Sequence, residues 1–199
     1  MSREFRLSPS FIISGFGCRL AQYYKYVVDI KPPTNVNSER GDIIHKYVEK
    51  LIEIANSQEE YKELSVAEFK DPESENILEL YHGNLPNILK SIVTKELAKE
   101  GYEIQSEVLF KDIFTYGDFS RKAHVKADII AYSPAGEVEI YDFKTKKNLK
   151  YLPTEQEIYD NIQLNLYALI FLRERHDDEI ITIGQFIISL TGEYRLIKK

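Results

Sequence analysis

The stretch HVKADIIAYSPAGEVEIYDFKT, from His124 to Thr145, decides how the rest of the chain is read. Two runs rich in apolar and β-branched residues, His124 to Tyr132 and Glu137 to Lys144, flank Ser133-Pro134-Ala135-Gly136. Pro134 suits the first corner of a type I turn, and Gly136 suits the left-handed position after it. The runs therefore form a hairpin with a three-residue loop and a glycine bulge. In that register Ser133 faces Glu137. Counting outward brings Asp128 opposite Asp142, with Cβ atoms about 4.5–5.5 Å apart. Lys144, two residues beyond Asp142, points to the same face. A slip of one residue would part the two aspartates, so the register is a sharp expectation.

Outward from the hairpin, Glu103 to Phe110 reads as a preceding strand, with a polar turn around Gly117-Asp118 between them. Downstream, Thr154 with Glu157 three residues on is a capping box that opens one long helix to about Arg173. Ile180 to Leu190 and Tyr194 to Ile197 close the chain as strands around Thr191-Gly192. Upstream the pattern is helical. Ser8-Pro9 starts a short helix toward Ile13, and a second helix covers Arg19 to Val27. Lys31-Pro32-Pro33 enforces an extended connection. Ser38 caps a helix whose Ile44, Val48, Leu51 and Ile52 form one apolar stripe. Ser57 to Asp71 reads as loop or marginal helix. Ser74 to Lys99 reads as helix, broken near Gly83 and Pro86 and stopped by Gly101. The order predicts an α/β fold, a mixed central sheet flanked by helices with an N-terminal helical segment. No repeat or low-complexity linker divides it, so residues 1–199 are taken as one domain, helical over 1–101 and sheet-bearing over 102–199.

At 199 residues, 43% hydrophobic and 29% charged, the chain can bury a real core without disulfides or a structural metal. Cys18 is alone, which excludes an intramolecular disulfide framework and suits a reducing compartment. No apolar run approaches the roughly 20 residues that span a bilayer. Met1 to Leu7 lacks the apolar core of a secretory signal, so a cytoplasmic protein is expected. A net charge of −6 weighs mildly against nucleic-acid binding, where neutralising phosphates dominates affinity. The charge is uneven, however. Acid gathers between Glu59 and Glu79 and between Glu155 and Asp160, while base gathers at Arg121, Lys122 and Lys126 and again at Lys144, Lys146, Lys147 and Lys150.

Two carboxylates facing each other in a sheet repel and lose hydration on burial, and a cation between them offsets both costs. A divalent ion with oxygen ligands is the natural occupant, and an adjacent lysine is the natural partner of a water or phosphate oxygen. An isolated Asp-x-Lys is usually a solvated patch. Here a second aspartate arrives at the matching cross-strand position, within strands of Ile, Val, Ala and Tyr, and that favours a site.

With these residues in place the chain resembles the PD-(D/E)XK nuclease superfamily, and within it the RecB-like branch that includes CRISPR-associated exonucleases with an iron–sulfur cluster. Leu7 to Tyr26 is similar to that branch's N-terminal helical segment. Arg40-Gly41 followed by His45 is similar to its histidine motif. Lys126-Ala127-Asp128 and Asp142-Phe143-Lys144-Thr145 match its two metal-site strands, and Gln163 with Tyr167 matches its Q-x-x-x-Y helix. The resemblance implies a restriction-endonuclease-like core. It implies metal-dependent hydrolysis of DNA phosphodiesters, with single strands or DNA ends favoured and exonuclease or endonuclease action. It implies catalytic roles for Asp128, Asp142 and Lys144, and a Mg2+ or Mn2+ ion held by His45, Asp128, Asp142 and the main-chain carbonyl of Phe143. Gln163, Tyr167, Lys146 and Lys147 would meet substrate, and Glu107 is a further candidate acid. The imidazole ligand makes manganese at least as suitable as magnesium.

The iron–sulfur relatives need four cysteine thiolates. Cys18 alone cannot supply them, so no cluster is expected, and Cys18 reads as a small buried residue. That form resembles a minimal or viral relative, and the Lys-, Ile- and Tyr-rich composition suits an archaeal host. His124 shares the expected active face, whereas His82 and His176 carry no such support. Tyr23, Tyr24 and Tyr26 read as helix packing rather than a base-stacking platform. Two other readings stay open: a catalytically silent DNA-binding module, and a subunit of a recombination or CRISPR-type complex that acts with a helicase or other partner. Homo-oligomerisation stays open with them.

Overall fold

The computed structural model describes residues 7–30, 36–57, 62–116, 118–175 and 181–199. Its sheet has five strands in sequential order: β1 (Glu103–Tyr116), β2 (Phe119–Tyr132), β3 (Val138–Lys146), β4 (Ile181–Ser189) and β5 (Tyr194–Lys198). Only β3 and β4 pair in parallel. A parallel pair needs a crossover, and α7 (Glu155–Tyr159) and α8 (Ile162–Arg175) supply it. The sheet is therefore mixed and flanked by helices.

The expected hairpin forms in the expected register. Ile129 pairs with Tyr141 and Tyr132 with Val138. Ser133 N–H donates to the Glu137 carbonyl at 2.8 Å, and Gly136 takes a positive φ of 85°. Continuing the count by one residue sets Asp128 across from Asp142.

One face of the sheet packs under α3 (Val36–Ser57), α4 (Lys62–Glu68), α5 (Pro72–Tyr81), α6 (Leu85–Ile92) and a π-helical turn, Val93–Leu97. Ile44, Val48, Leu51 and Ile52 of α3 form the predicted stripe, all buried against Ile129, Tyr141 and Phe186. The other face packs under α7 and α8, where Ile158, Leu164, Ile170 and Phe171 meet Val125, Ile140 and Ile183.

Several boundaries move. Ser38 is the third residue of α3 rather than its cap, because the helix begins at Val36. Lys31-Pro32-Pro33 and His176 lie outside the described residues. Residues 62–68 are helical, which settles the ambiguous acidic stretch in part. The Ser74–Lys99 helix is two helices with a proline in the first turn of each, Pro72 and Pro86. The capping box at Thr154 is present, but its helix ends at Tyr159. Asn161 then restarts α8 by accepting from Leu164 N–H at 3.1 Å.

β1 and β2 run well beyond β3, so one edge of β2 would stand open past Asp128. An open edge presents unpaired backbone groups, and Leu7 covers it. Leu7 N–H donates to the Lys122 carbonyl and His124 N–H to the Leu7 carbonyl, each at 2.8 Å. This stitch sets α1 (Pro9–Gly17) beside β2 and α8, and α2 (Arg19–Tyr26) packs on α1. Ser8 caps α1 by accepting from Phe11 N–H. Neither helix has a buried residue. Cys18, at their joint, is consequently exposed rather than buried. Tyr26 does pack, edge-on against Phe11, but Tyr23 and Tyr24 are about half exposed, at 50% and 45%.

Candidate active site and metal centre

A row of polar residues crosses the sheet at one level. The β1–β2 register places Glu107 across from Asp128, the β2–β3 register places Asp128 across from Asp142, and Asp142 pairs with Gln185 of β4. Glu107 has a φ of 56°, the left-handed region that a non-glycine residue enters at a cost. The consequence is visible in the packing. Before this point Ile104 and Ile129 face the α3 side; beyond it Phe110, Val125 and Ala127 face α8. Both strands exchange faces at the Glu107–Asp128 pair. That twist lets acids of one row meet a histidine from α3 and a glutamine from α8, which lie on opposite sides of the sheet.

Three of these groups converge. His45, Glu107 and Asp128 bring a ligand atom each to within 4.8 Å of one another, all half-buried. His45 Nδ1 lies 2.9 Å from Glu107 Oε1 and 3.6 Å from Asp128 Oδ1. Lys126 pairs with the other Glu107 oxygen. Asp128 is oriented by the Phe143 N–H, which donates to its Oδ2 at 2.8 Å and leaves Oδ1 toward His45. Glu107, only a further candidate in the sequence, thus stands at the centre of the cluster.

Asp142 is buried, at 1% exposure, and stands beside this cluster rather than within it. Its Oδ1 accepts from Lys144 Nζ at 2.7 Å and from Gln163 Nε2 at 3.0 Å, and its Oδ2 accepts from Gln185 Nε2 at 3.0 Å. Burial pushes the Asp142 carboxyl up to about 6; the Lys144 ammonium opposes that rise and the Asp128 charge adds to it. Gln163 Nε2 also reaches the Tyr167 hydroxyl at 2.5 Å, so the two helix residues touch the site as a pair. Burial also raises the Tyr167 phenol, which stays protonated.

Two contributors lie outside the expected site residues: Gln185 belongs to no motif, and Arg40 enters only as the start of the histidine motif. Gln185 is a lone amide at the centre of the apolar strand ITIGQFIIS, and that isolation was its signal. Arg40 is buried and donates to Thr145 Oγ1 at 3.3 Å, tying the start of α3 to the end of β3 and so holding His45 over Asp128. The remaining lysines are less central. Lys146 donates to the Tyr151 carbonyl at 2.7 Å, and Lys147 is exposed beyond it. His82 is elsewhere, accepting from Asn84 N–H.

The donor set fits a divalent cation: carboxylate oxygens with one imidazole, none of them a thiolate. Among the described residues no helix is long and apolar enough to cross a membrane.

A model of the PD-(D/E)XK nuclease superfamily matches residues 6–195. Among solved structures, a protein named "Putative exonuclease" from Eubacterium rectale is 16% identical, with a TM-score of 0.52 over 98% of this chain and 72% of that one. The crystal structure of SSO0001 is 18% identical over 79% of this chain and 74% of that one, with a TM-score of 0.38. The first likeness is one of fold, and the second carries no argument. No curated protein matches the chain.

Proposed function

The chain belongs to the PD-(D/E)XK nuclease superfamily, and from that membership we propose that it is a Mg2+- or Mn2+-dependent deoxyribonuclease of RecB-like type that favours single strands or DNA ends. The observation that carries the reading is the convergence of Glu107, Asp128 and His45 beside an Asp142–Lys144 pair, on strands that otherwise bury apolar residues. His45, Asp128, Asp142 and Glu107 are the residues that would hold the ion. The Phe143 carbonyl joins them, since a strand residue's N–H and C=O face the same neighbour and its N–H already faces Asp128. A divalent ion bound there lowers the pKa of a water and offsets charge on the phosphate oxygens.

The chain's own residues supply orientation and protons. Lys144 reaches both Asp142 and, at 3.4 Å, Gln163 Oε1, so its ammonium is held where it can donate to an attacking water or a phosphate oxygen. Gln163 bridges Asp142 and Tyr167 and would position the sugar–phosphate backbone. Lys146 and Lys147 extend the cationic side of the site along β3.

The test is cleavage of end-labelled linear and circular DNA, single-stranded and duplex, with Mn2+, Mg2+ or chelator, beside Asp142→Ala and Lys144→Ala. The expected result is metal-dependent cutting of single strands that both substitutions abolish. Cutting of circles would establish endonuclease action. Cleavage of RNA alone, or Mn2+ binding with no cleavage of any nucleic acid, would overturn the proposal.

A further inference from the structure

A cavity of about 480 Å³ lies between α1, β2 and α8, immediately beside the acidic cluster. Ser10 and Ser14 of α1 line one side, His124 and Lys126 of β2 the floor, and Gln163 and Tyr167 of α8 the opposite side. Two of these residues belong to both the cavity and the site: Lys126 is paired with Glu107, and Gln163 donates to Asp142 at 3.0 Å. The cavity is therefore an extension of the polar row past the open edge of β2, between α1 and α8.

Its chemistry is one-sided. No carboxylate lines it in a chain of net charge −6. Its polar groups are hydroxyls, an imidazole, an amide and the Lys126 ammonium, of which Ser14 and Gln163 already donate within the protein, to Phe11 and to Asp142 and Tyr167. Tyr167, only 2% exposed, accepts from Gln163 and so has its own proton left to donate. Such a lining suits an anion with several oxygens. The volume falls within the range of small-ligand pockets, roughly 300–1,000 Å³, which is the scale of one nucleotide and not of paired strands. Protein stands on both sides, α1 on one and α8 on the other. The Leu7 stitch to Lys122 and His124 fixes α1 at that separation.

We propose that this cavity is a single-strand slot, which holds the sugar–phosphate of the nucleotide next to the scissile bond between α1 and α8 and excludes duplex. The slot rests on the nuclease reading and adds the element that selects the strand: the hydroxyl face of α1 is half of it. Ser10 and Ser14 are positioning residues here, acting on the strand and not on the ion.

The test fills the slot without touching the acids. Ser10→Trp and Ser14→Leu are compared with Ser10→Ala, which removes the same hydroxyl and its contact with Tyr26 but leaves the space open. Each full-length variant is measured by Mn2+ calorimetry, by anisotropy of a fluorescent oligothymidylate in chelator, and by cleavage kinetics on single-stranded and duplex DNA. Filling is expected to weaken oligothymidylate binding and raise KM tenfold or more, with Mn2+ affinity within twofold of wild type. Ser10→Ala, which loses one hydroxyl of the slot but keeps its space, should weaken oligothymidylate binding only about threefold and leave Mn2+ affinity unchanged. Filled variants that hold Mn2+ and bind and cut strands as wild type does would overturn the slot, as would equal losses on duplex. A wild type that binds Mn2+ but no nucleic acid would instead sink the nuclease reading itself. Independently of any variant, 4-thiothymidine in a bound strand should photocrosslink to α1 or to His124 or Tyr167. Crosslinks confined to other faces would also overturn the slot.

Discussion

Asp142 shows how much a single buried carboxylate can shape this protein. Its folded-state pKa is raised to about 6, chiefly by burial, against an ordinary value near 3.8. A raised value means the folded state holds the proton more tightly than the unfolded one. The stability linked to this group is therefore fully present below about pH 4 and lost as pH rises through about 6. In chelator, urea unfolding should show the protein about 2 kcal/mol less stable at pH 7.5 than at pH 4.5 on account of this group. Asp142→Asn should flatten that dependence, and an unchanged profile in the variant would refute the assignment. Gln185 is the group that makes the buried carboxylate tolerable from the β4 side. Gln185→Leu should leave the fold intact yet lower Mn2+ affinity by about 10–100-fold in calorimetry, as losing a residue that orients a ligand does. At this scale the sequence revealed the acids, through hairpin register and alternation. It did not reveal their cluster, because which oxygen meets which nitrogen depends on partners from α3, α8 and β4. Asp142 reads as a ligand beside Asp128, and the side chains that orient its oxygens, Lys144, Gln163 and Gln185, come from β3, α8 and β4, while Glu107 joins His45 and Asp128 in the cluster.

The elements explain that difference. Hairpin geometry is local, so Pro134 and Gly136 sufficed to place β2 against β3. The exchange of faces at Glu107 is not local. No glycine marks it, and alternation on either side reads as ordinary strand. Its energetic signature is testable. An L residue in the left-handed region costs roughly 1–2 kcal/mol, so Glu107→Gly should be more stable than Glu107→Ala by about 1 kcal/mol in urea unfolding. That reverses the usual order for a strand interior. Both should lose Mn2+ affinity, since both remove the carboxylate. If the alanine variant is the more stable, the backbone at Glu107 is not held in that conformation. The break between α7 and α8 escaped for a related reason. Helical periodicity continues through Asp160 and Asn161, and the restart depends on the Asn161 side chain turning back to Leu164 N–H. Likewise β1 and β2 outrun their apolar runs because Leu7, more than a hundred residues away, covers the edge that β3 leaves.

For the molecule as a whole, net charge misleads and placement informs. The chain carries −6, yet Lys126, Lys144, Lys146 and Lys147 all stand on or beside one rim of the sheet, next to a slot without carboxylates. If each neutralises one phosphate of a bound strand, about four counterions' worth of salt dependence follows. For single strands that is a slope near −3 in log affinity against log salt, at about −0.7 per contact. The total charge far from the rim contributes little, because interactions beyond about 10 Å are screened at 0.1 M salt. Anisotropy of oligothymidylate across 50–300 mM KCl, in chelator, reads the slope directly. Lys147→Ala should reduce its magnitude by about 0.7 while leaving Mn2+ affinity alone, since Lys147 is exposed and outside the cluster that would hold the ion. Lys126→Ala should do more, because Lys126 borders the slot and also neutralises Glu107. It should reduce the slope by a similar amount and, by freeing a carboxylate, tighten Mn2+. Opposite effects on strand and ion from one substitution would mark Lys126 as the junction between slot and metal centre. Parallel losses of both would mean that it serves the fold around Glu107 and never meets a phosphate.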